Sequence, residues 1–387
     1  CRNIMESKAF YPTLITISII NVMYIVFRNE FLIYLLPFAM IPIILTILGN
    51  KIYALTFSFL NMIILSREET WFLVTIAVAI MAIYKAEKMT SRSDIVKLGI
   101  STGVFQGIMA LSYGLVNQLE FPLLLGMIVL SVLSGILTGM ISLALLPYFE
   151  NSFEILTDIK LLELSDFSNA LLKQLLVTAP GTFHHSIMVG ALAESGAEAI
   201  GVNAIFARVA SYYHDIGKMK RPEFFVENQR DGKNIHNTIK PSLSALIITS
   251  HTKDGYIMGK QNKLPKEILD IILCHHGTTL VQFFYYKSLE KGEYVLENDF
   301  RYSGPKPKSK EAGIIMLADT IEAAVRVSED KSREGIENLI RYLIKYKLDD
   351  NQMSDSELTL GEIEKVIQAF LNTLQGAYHN RIKYPSR

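Results

Sequence analysis

Only two cysteines, Cys1 and Cys274, occur in 387 residues. Two thiols exclude a disulfide framework and fit a reducing compartment for the part of the chain around Cys274. Cys274 itself reads as a small core residue. An excess of charge is also missing: 38 basic and 38 acidic residues cancel. That balance offers no global attraction to nucleic acid. No stretch of the second half alternates apolar and polar residues, so nothing there argues for a sheet. No long apolar run carries a charge near its centre, which leaves a transporter without an ion or proton path.

What is present is apolar length. Half the residues are hydrophobic and the mean hydropathy is +0.27. Six apolar runs, roughly 11–27, 31–48, 52–66, 71–84, 96–116 and 121–147, follow one another with short polar links. Most approach or exceed the length that crosses a bilayer; 52–66 and 71–84 are the shortest. Pro12, Pro37, Pro42 and Pro122 are tolerated where neighbouring helices satisfy the freed backbone. The loop 85–97 carries Lys85, Lys88, Arg92 and Lys97, whereas the next loop, VNQLE, carries none. Positive charge marks the cytoplasmic side. Six crossings then place the N-terminus and everything after 147 inside, with Arg28 and Arg67 outside.

The start, CRNIMESKAF, has no initiator methionine and is no signal peptide. Segment 148–178 reads as a helical connector. Within it Ser165 and Asp166 are expected to cap the helix FSNALLKQLL, which Pro180-Gly181 ends.

The second half is expected to be mostly helical. HHSIMVGALAESGAEAIG, SLSALIITSHTKDG, PKEILDIILCHHGTTL and KEAGIIMLADTIEAAVRVS each read as a helix, the second ending at His251 with Gly255 beyond. Residues 302–310 read as a loop, and 335–347 and 358–376 as closing amphipathic helices. In NAIFARVASYYHDIGKM the apolar residues Ile205, Val209, Tyr212 and Ile216 keep helical spacing, with Gly217 loosening the end. His214 and Asp215 stand side by side there. Such a pair alone is weak evidence for a metal. However, seven of the eight histidines lie between His184 and His276, under a quarter of the chain. Imidazole suits iron, manganese and zinc, and a carboxylate can bridge two ions. Two His-His pairs and one His-Asp pair look like ligands for more than one metal.

In order and spacing, PGTFHHS, YYHDIGKMKRPEFFVENQ, PSLSALIITSHTKDG, HHGTT and LADTIEAAVR resemble the HD-domain phosphohydrolases. They resemble in particular the branch with seven transmembrane helices, which includes the membrane-bound cyclic-di-AMP phosphodiesterases of bacteria. The resemblance implies an all-α chain: a polytopic membrane bundle (1–147), a connector (148–178) and a cytoplasmic HD domain (179–387). It implies two divalent metal ions, manganese or iron. His185, His214, Asp215 and Asp319 would hold one; Asp215 would bridge to a second, completed by His251, His275 and His276. His184 and His236 match no ligand position; His184 is expected to pack or orient its neighbour. Two cations would neutralise a phosphodiester and acidify a bridging water.

Asp215 and Lys218 are expected to be catalytic. Lys218, Thr278, Arg326 and His236 are candidate substrate contacts. The GYP that follows the His-His pair in enzymes for cyclic di-GMP is absent from HHGTTLVQFF, which favours cyclic di-AMP as substrate. The lipid bilayer is the other expected partner, a homodimer stays open, and no nucleic-acid polymer is expected. The location implied is the bacterial cell membrane, multi-pass. A sensor or scaffold with a non-catalytic HD domain, and an enzyme for cyclic di-GMP, are the alternatives. Because the branch carries an extracellular domain ahead of seven helices, a further helix is expected to precede Cys1.

Overall fold

The computed structural model describes residues 2–26, 32–49, 51–65, 69–229, 234–292 and 294–377. Cys1, Arg28, Arg67 and His379 lie outside the described residues. The chain divides into two compact units, Cys1–Glu163 and Leu164–Arg387. The division falls inside the segment expected to act as a connector. Both units are helical; among the described residues the β pairing amounts to one bridge, Leu280 with Arg301.

The first unit holds α1 (Arg2–Val26), α2 (Met40–Ile47), α3 (Lys51–Leu65), α4 (Glu69–Ala86), α5 (Arg92–Val116) and α6 (Phe121–Ser152), with α7 (Asp158–Leu164) after them. Of these, α5 and α6 are long and apolar enough to cross a membrane. The run expected as one span over 31–48 is broken. A 3₁₀ turn at Leu32–Leu35 precedes α2, because Pro37 offers no backbone N–H and disfavours helix at Leu36. From Met40 to Thr46 every residue of α2 is buried.

Helices α5 and α6 meet through small residues. Gly99, Thr102, Gly103, Gln106 and Ala110 repeat every three or four positions on one face, and Ser131, Ser134, Gly135, Thr138, Gly139 and Ser142 answer them. A Cβ added at Gly135 would stand 2.4 Å from the Gly103 Cα. Backbones this close need glycine, and dispersion between them is what holds helices in an apolar surrounding. The outer faces carry the large side chains instead: Val104, Ile108, Leu115, Val129 and Met140 are all exposed. At the start of α5, Ser91 and Asp94 form a capping box. Arg92 binds Glu150 at 2.7 Å and Glu163 at 2.6 Å, tying α5 to the end of α6 and to α7.

The second unit is built around α9 (Pro180–Ile200), which packs against α10 (Ala204–Tyr213), α14 (Lys310–Val327) and α16 (Leu360–Ala377). The others are α8 (Ala170–Thr178), α11 (Pro241–Gln261), α12 (Lys266–Cys274), α13 (Gln282–Glu290) and α15 (Arg333–Asp349). Two local expectations change. The cap of α8 is Asn169, whose side chain accepts from Leu171 N, while Asp166 accepts from Ser168 N. Helix α11 does not stop near His251 but runs ten residues further. Gly255 is not a terminator: it lets the 3₁₀ turn Ile216–Lys220 press onto α11, where a Cβ on Gly217 would stand 1.9 Å from the His251 carbonyl oxygen.

Gly135→Ala should therefore force α5 and α6 apart and destabilise the first unit by about 1–3 kcal/mol. Gly107→Ala, whose Cβ would meet nothing nearer than 3.6 Å, should be nearly neutral. Thermal unfolding of both variants in detergent checks this; equal melting temperatures would refute the close-contact argument.

A candidate metal centre in the second unit

Five helices deliver the polar cluster. His185 comes from the first half of α9. His214 and Asp215 follow the last residue of α10, where the helix gives way to the 3₁₀ turn. His251 lies inside α11, His275 caps α12 with His276 next, and Asp319 lies inside α14. All are buried except His276, whose side chain is 19% exposed.

Among the described residues two groups of donors have geometry able to hold a metal ion: His185, His214, Asp215 and Asp319, and Asp215, His251, His275 and His276. Asp215 belongs to both. Its Oδ2 faces His214 Nε2 at 3.2 Å and His185 Nε2 at 3.6 Å. Its Oδ1 faces His251 Nε2 at 3.2 Å and His275 Nε2 at 3.6 Å. Asp319 lies 2.9 Å from His185 Nε2, 3.6 Å from His214 Nε2 and 3.5 Å from His276 Nδ1.

The cluster is poorly satisfied by itself. Both Asp215 oxygens and His214 Nε2 are buried without a well-formed hydrogen bond. Buried polar atoms are normally paired, so such orphans call for a missing partner. His251 Nε2 and His275 Nε2 point at each other across 3.2 Å. Meanwhile the other ring nitrogens are occupied: His214, His251 and His275 donate Nδ1–H to the carbonyls of Ser211, Ile248 and Ile272, at 2.7, 2.6 and 2.9 Å. This leaves the Nε2 of each ring facing the centre, the nitrogen a metal ligand would use. The donor set therefore fits divalent cations.

Charge tells the same story. Burial opposes ionisation of Asp215, but His214 and Lys218 hold its carboxyl well below the usual carboxylate range. Burial also opposes charge on His214, yet Asp215 and Asp319 raise its pKa to about 10. Burial pushes His275 down to about 4. Asp215 is thus ionised, and His214 and Lys218 supply the positive charge beside it.

The remaining expected residues separate. Lys218 Nζ lies 2.7 Å from Asp215 and 2.9 Å from Glu227, over the Phe225 ring. Thr278 is engaged by Gln352, which accepts from its backbone N at 2.8 Å and donates to its hydroxyl at 3.0 Å. Arg326 stands 4.0 Å from Glu322 and joins neither donor group. His236 is buried, its Nε2 donating to the Phe224 carbonyl at 2.7 Å, so it does not simply face water. His184 is exposed and outside both groups, since neighbours on a helix point about 100° apart. Cys274 is a buried thiol whose pKa burial raises to about 12.

Sequence reasoning missed several side chains. Glu322 accepts a hydrogen bond from His185 Nδ1; its position one turn after Asp319 was the available signal. Glu227 pairs with Lys218. Tyr302 packs its ring 4.3 Å from that of His276. Lys347 is buried and donates to Thr279 Oγ1 at 2.9 Å, beside Gln352 in the segment that grips the loop after the His-His pair.

Residues 6–157 match the family described as "7TM receptor with intracellular HD hydrolase", and residues 182–324 match the HD domain. The chain is 45% identical over 300 residues to the cyclic-di-AMP phosphodiesterase PgpH of Bacillus subtilis (strain 168), covering 77% of this chain and 42% of that protein. It is 39% identical over 363 residues to the PgpH of Listeria monocytogenes serotype 1/2a (strain 10403S), covering 91% of this chain and 50% of that one. The crystal structure of the L. monocytogenes PgpH HD domain in complex with cyclic-di-AMP aligns with a TM-score of 0.54 and 46% identity, over 55% of this chain and all of that one. The chain belongs to the seven-transmembrane HD-domain hydrolase family. It spans about half the length of the curated relatives it matches. Family membership agrees with the place of the cluster, which lies within the HD match.

Lys347 yields a stability test. Burial lowers its pKa from 10.5 to about 8. Between those values the unfolded chain binds more protons, so stability rises with pH there; below pH 8 the whole cost is present. Lys347→Met should stabilise the second unit at pH 7 by on the order of 1–2 kcal/mol after loss of the Thr279 hydrogen bond. The gain should shrink as pH rises from 8 to 10.5. Melting curves that differ by the same amount at every pH would refute it.

Proposed function

We propose that this chain is a membrane-anchored, metal-dependent phosphodiesterase that hydrolyses cyclic di-AMP to the linear dinucleotide. One observation carries the reading: a buried carboxylate, Asp215, that belongs to two donor groups at once and turns one oxygen to each. The substrate class follows from relatives named for cyclic di-AMP and from a similar HD domain crystallised with it.

In this reading His185, His214, Asp215 and Asp319 hold one divalent ion, manganese or iron. Asp215, His251, His275 and His276 hold a second. When bound, the cations neutralise the diester's charge and acidify water. The chain's own residues do the rest. The three Nδ1–H bonds to helix carbonyls fix the imidazoles before substrate arrives, which removes reorganisation from the reaction. Lys218 stays protonated: burial opposes its charge, but Asp215 and Glu227 hold the pKa above its usual value. An ammonium has three donors and two are taken by these carboxylates, so one is left for a substrate phosphate. Arg326 is the other cation available to that role. Thr278 and His236 are committed to Gln352 and Phe224, which argues against substrate contacts for them.

The first unit is proposed as a multi-pass membrane bundle with the HD domain in the cytoplasm. Small and polar residues inside the α5–α6 pair and large apolar ones outside suit lipid rather than water. The basic loop 85–97 suits the cytoplasmic side. Residues on either side of Glu163 are proposed as the connector between the units. A scaffold without catalysis has no need of two intact donor groups around one carboxylate.

The test uses the full chain in detergent with manganese. Cyclic di-AMP should be converted to the linear dinucleotide and cyclic di-GMP should not, and chelator should stop the reaction. Asp215→Ala should bring turnover to background and remove manganese from both sites, whereas Asp319→Ala should remove it from one. Normal turnover by Asp215→Ala with two bound ions would sink the assignment.

A further inference from the structure

We propose that Glu322 is a positioning residue that makes the two ion sites unequal, so that the group containing His185 holds manganese more tightly than the group containing His251. The proposal rests on the two-ion reading above. It starts from a difference among the histidines. Three of them, His214, His251 and His275, orient themselves on carbonyls of their own helices, three residues back. His185 does not. Its Nδ1 reaches across from α9 to a side chain on α14, Glu322.

The placement is specific. Asp319 and Glu322 are one turn apart on α14, so both carboxylates face α9. The His185 ring lies between them, with Nδ1 on Glu322 and Nε2 2.9 Å from Asp319 Oδ1. Glu322 is 3% exposed, and Arg326 Nη1 stands 4.0 Å from its Oε2. Burying a carboxylate is costly unless it is hydrogen-bonded. The Nδ1–H of His185 supplies that bond, and nothing in packing alone requires a glutamate there.

Two consequences follow. A carboxylate on Nδ1 fixes the tautomer and makes Nε2 a more basic donor than a carbonyl does. It also adds negative charge behind one site only. The first group has Asp215 and Asp319, with Glu322 behind His185 and Lys218 against Asp215 Oδ2, three negative charges to one positive; the second has Asp215 and three imidazoles. Attraction to a divalent cation follows that charge. Solvent access points the same way. In the first group the side chains are at most 9% exposed, whereas His276 in the second is 19% exposed.

The experiment is a manganese titration of the full chain in detergent after chelator treatment, with bound metal counted by equilibrium dialysis. The wild-type chain should bind in two classes of different affinity. Glu322→Gln keeps the shape and removes the charge; it should weaken the tighter class by about 10–100-fold and leave the weaker class in place. Glu322→Asp should restore part of the loss. In a His185→Ala background Glu322→Gln should lose most of its effect and keep only the part due to its charge, a result that a general packing role for Glu322 would not produce. Two unchanged classes in Glu322→Gln, or an equal further loss in the His185→Ala background, would overturn the proposal. A wild-type chain that binds no manganese would overturn the metal reading itself.

Discussion

The second unit depends on a single buried carboxylate. Asp215 has each oxygen turned to a different set of imidazoles, in a place where water cannot solvate it. Such a charge is tolerated only if cations surround it, and every nearby element serves that requirement. The 3₁₀ turn carrying Asp215 presses onto α11 because Gly217 and Gly255 offer no side chains at the crossing. Lys218, three residues on, neutralises part of the charge from below. Four other helices then bring histidines or Asp319 to within ligand reach. The centre is therefore a property of the packing of α9 to α14, not of any one motif.

Support for the centre extends into the C-terminal part. Asp350 forms a two-pronged pair with Arg301, which donates to the Thr278 carbonyl, and Gln352 takes the Thr278 N–H. These contacts hold the loop directly after His276, and the Tyr302 N–H donates to the Thr279 carbonyl at 3.1 Å. In the first unit the α5–α6 contact is lined with glycine, serine and threonine, whereas the core around α2 is built of large aliphatic side chains. Even so, its rim at Arg92 is an ordinary ion-pair network, with Glu150 also accepting from Thr157.

How much could be read without coordinates varies with range. The residues that gather in the cluster were pointed to by histidines crowding into one stretch and by five short blocks that resemble one family in order and spacing. The helices were legible from periodicity. Errors sit where a local signal had a non-local cause. Gly255 looked like a stop and is a crossing point. The run at 31–48 looked like one span and is a turn followed by a short buried helix. His184 was expected to pack or orient its neighbour; it is exposed, with its ring edge-on to Phe183 at 5.9 Å.

Sequence by itself determined the helical class and the long apolar helices α5 and α6, since these rest on composition and on periodicity along one helix, while the candidate donor residues came from resemblance to one family. Tertiary structure decided that Asp215 is shared, that Lys218 sits between two carboxylates, and that Glu322, Tyr302, Gln352 and Lys347 belong to the centre or its support. Those relations join residues up to 137 positions apart, as in His185 with Glu322. No periodicity spans such a distance; only the packing of one helix against another sets which side chains meet.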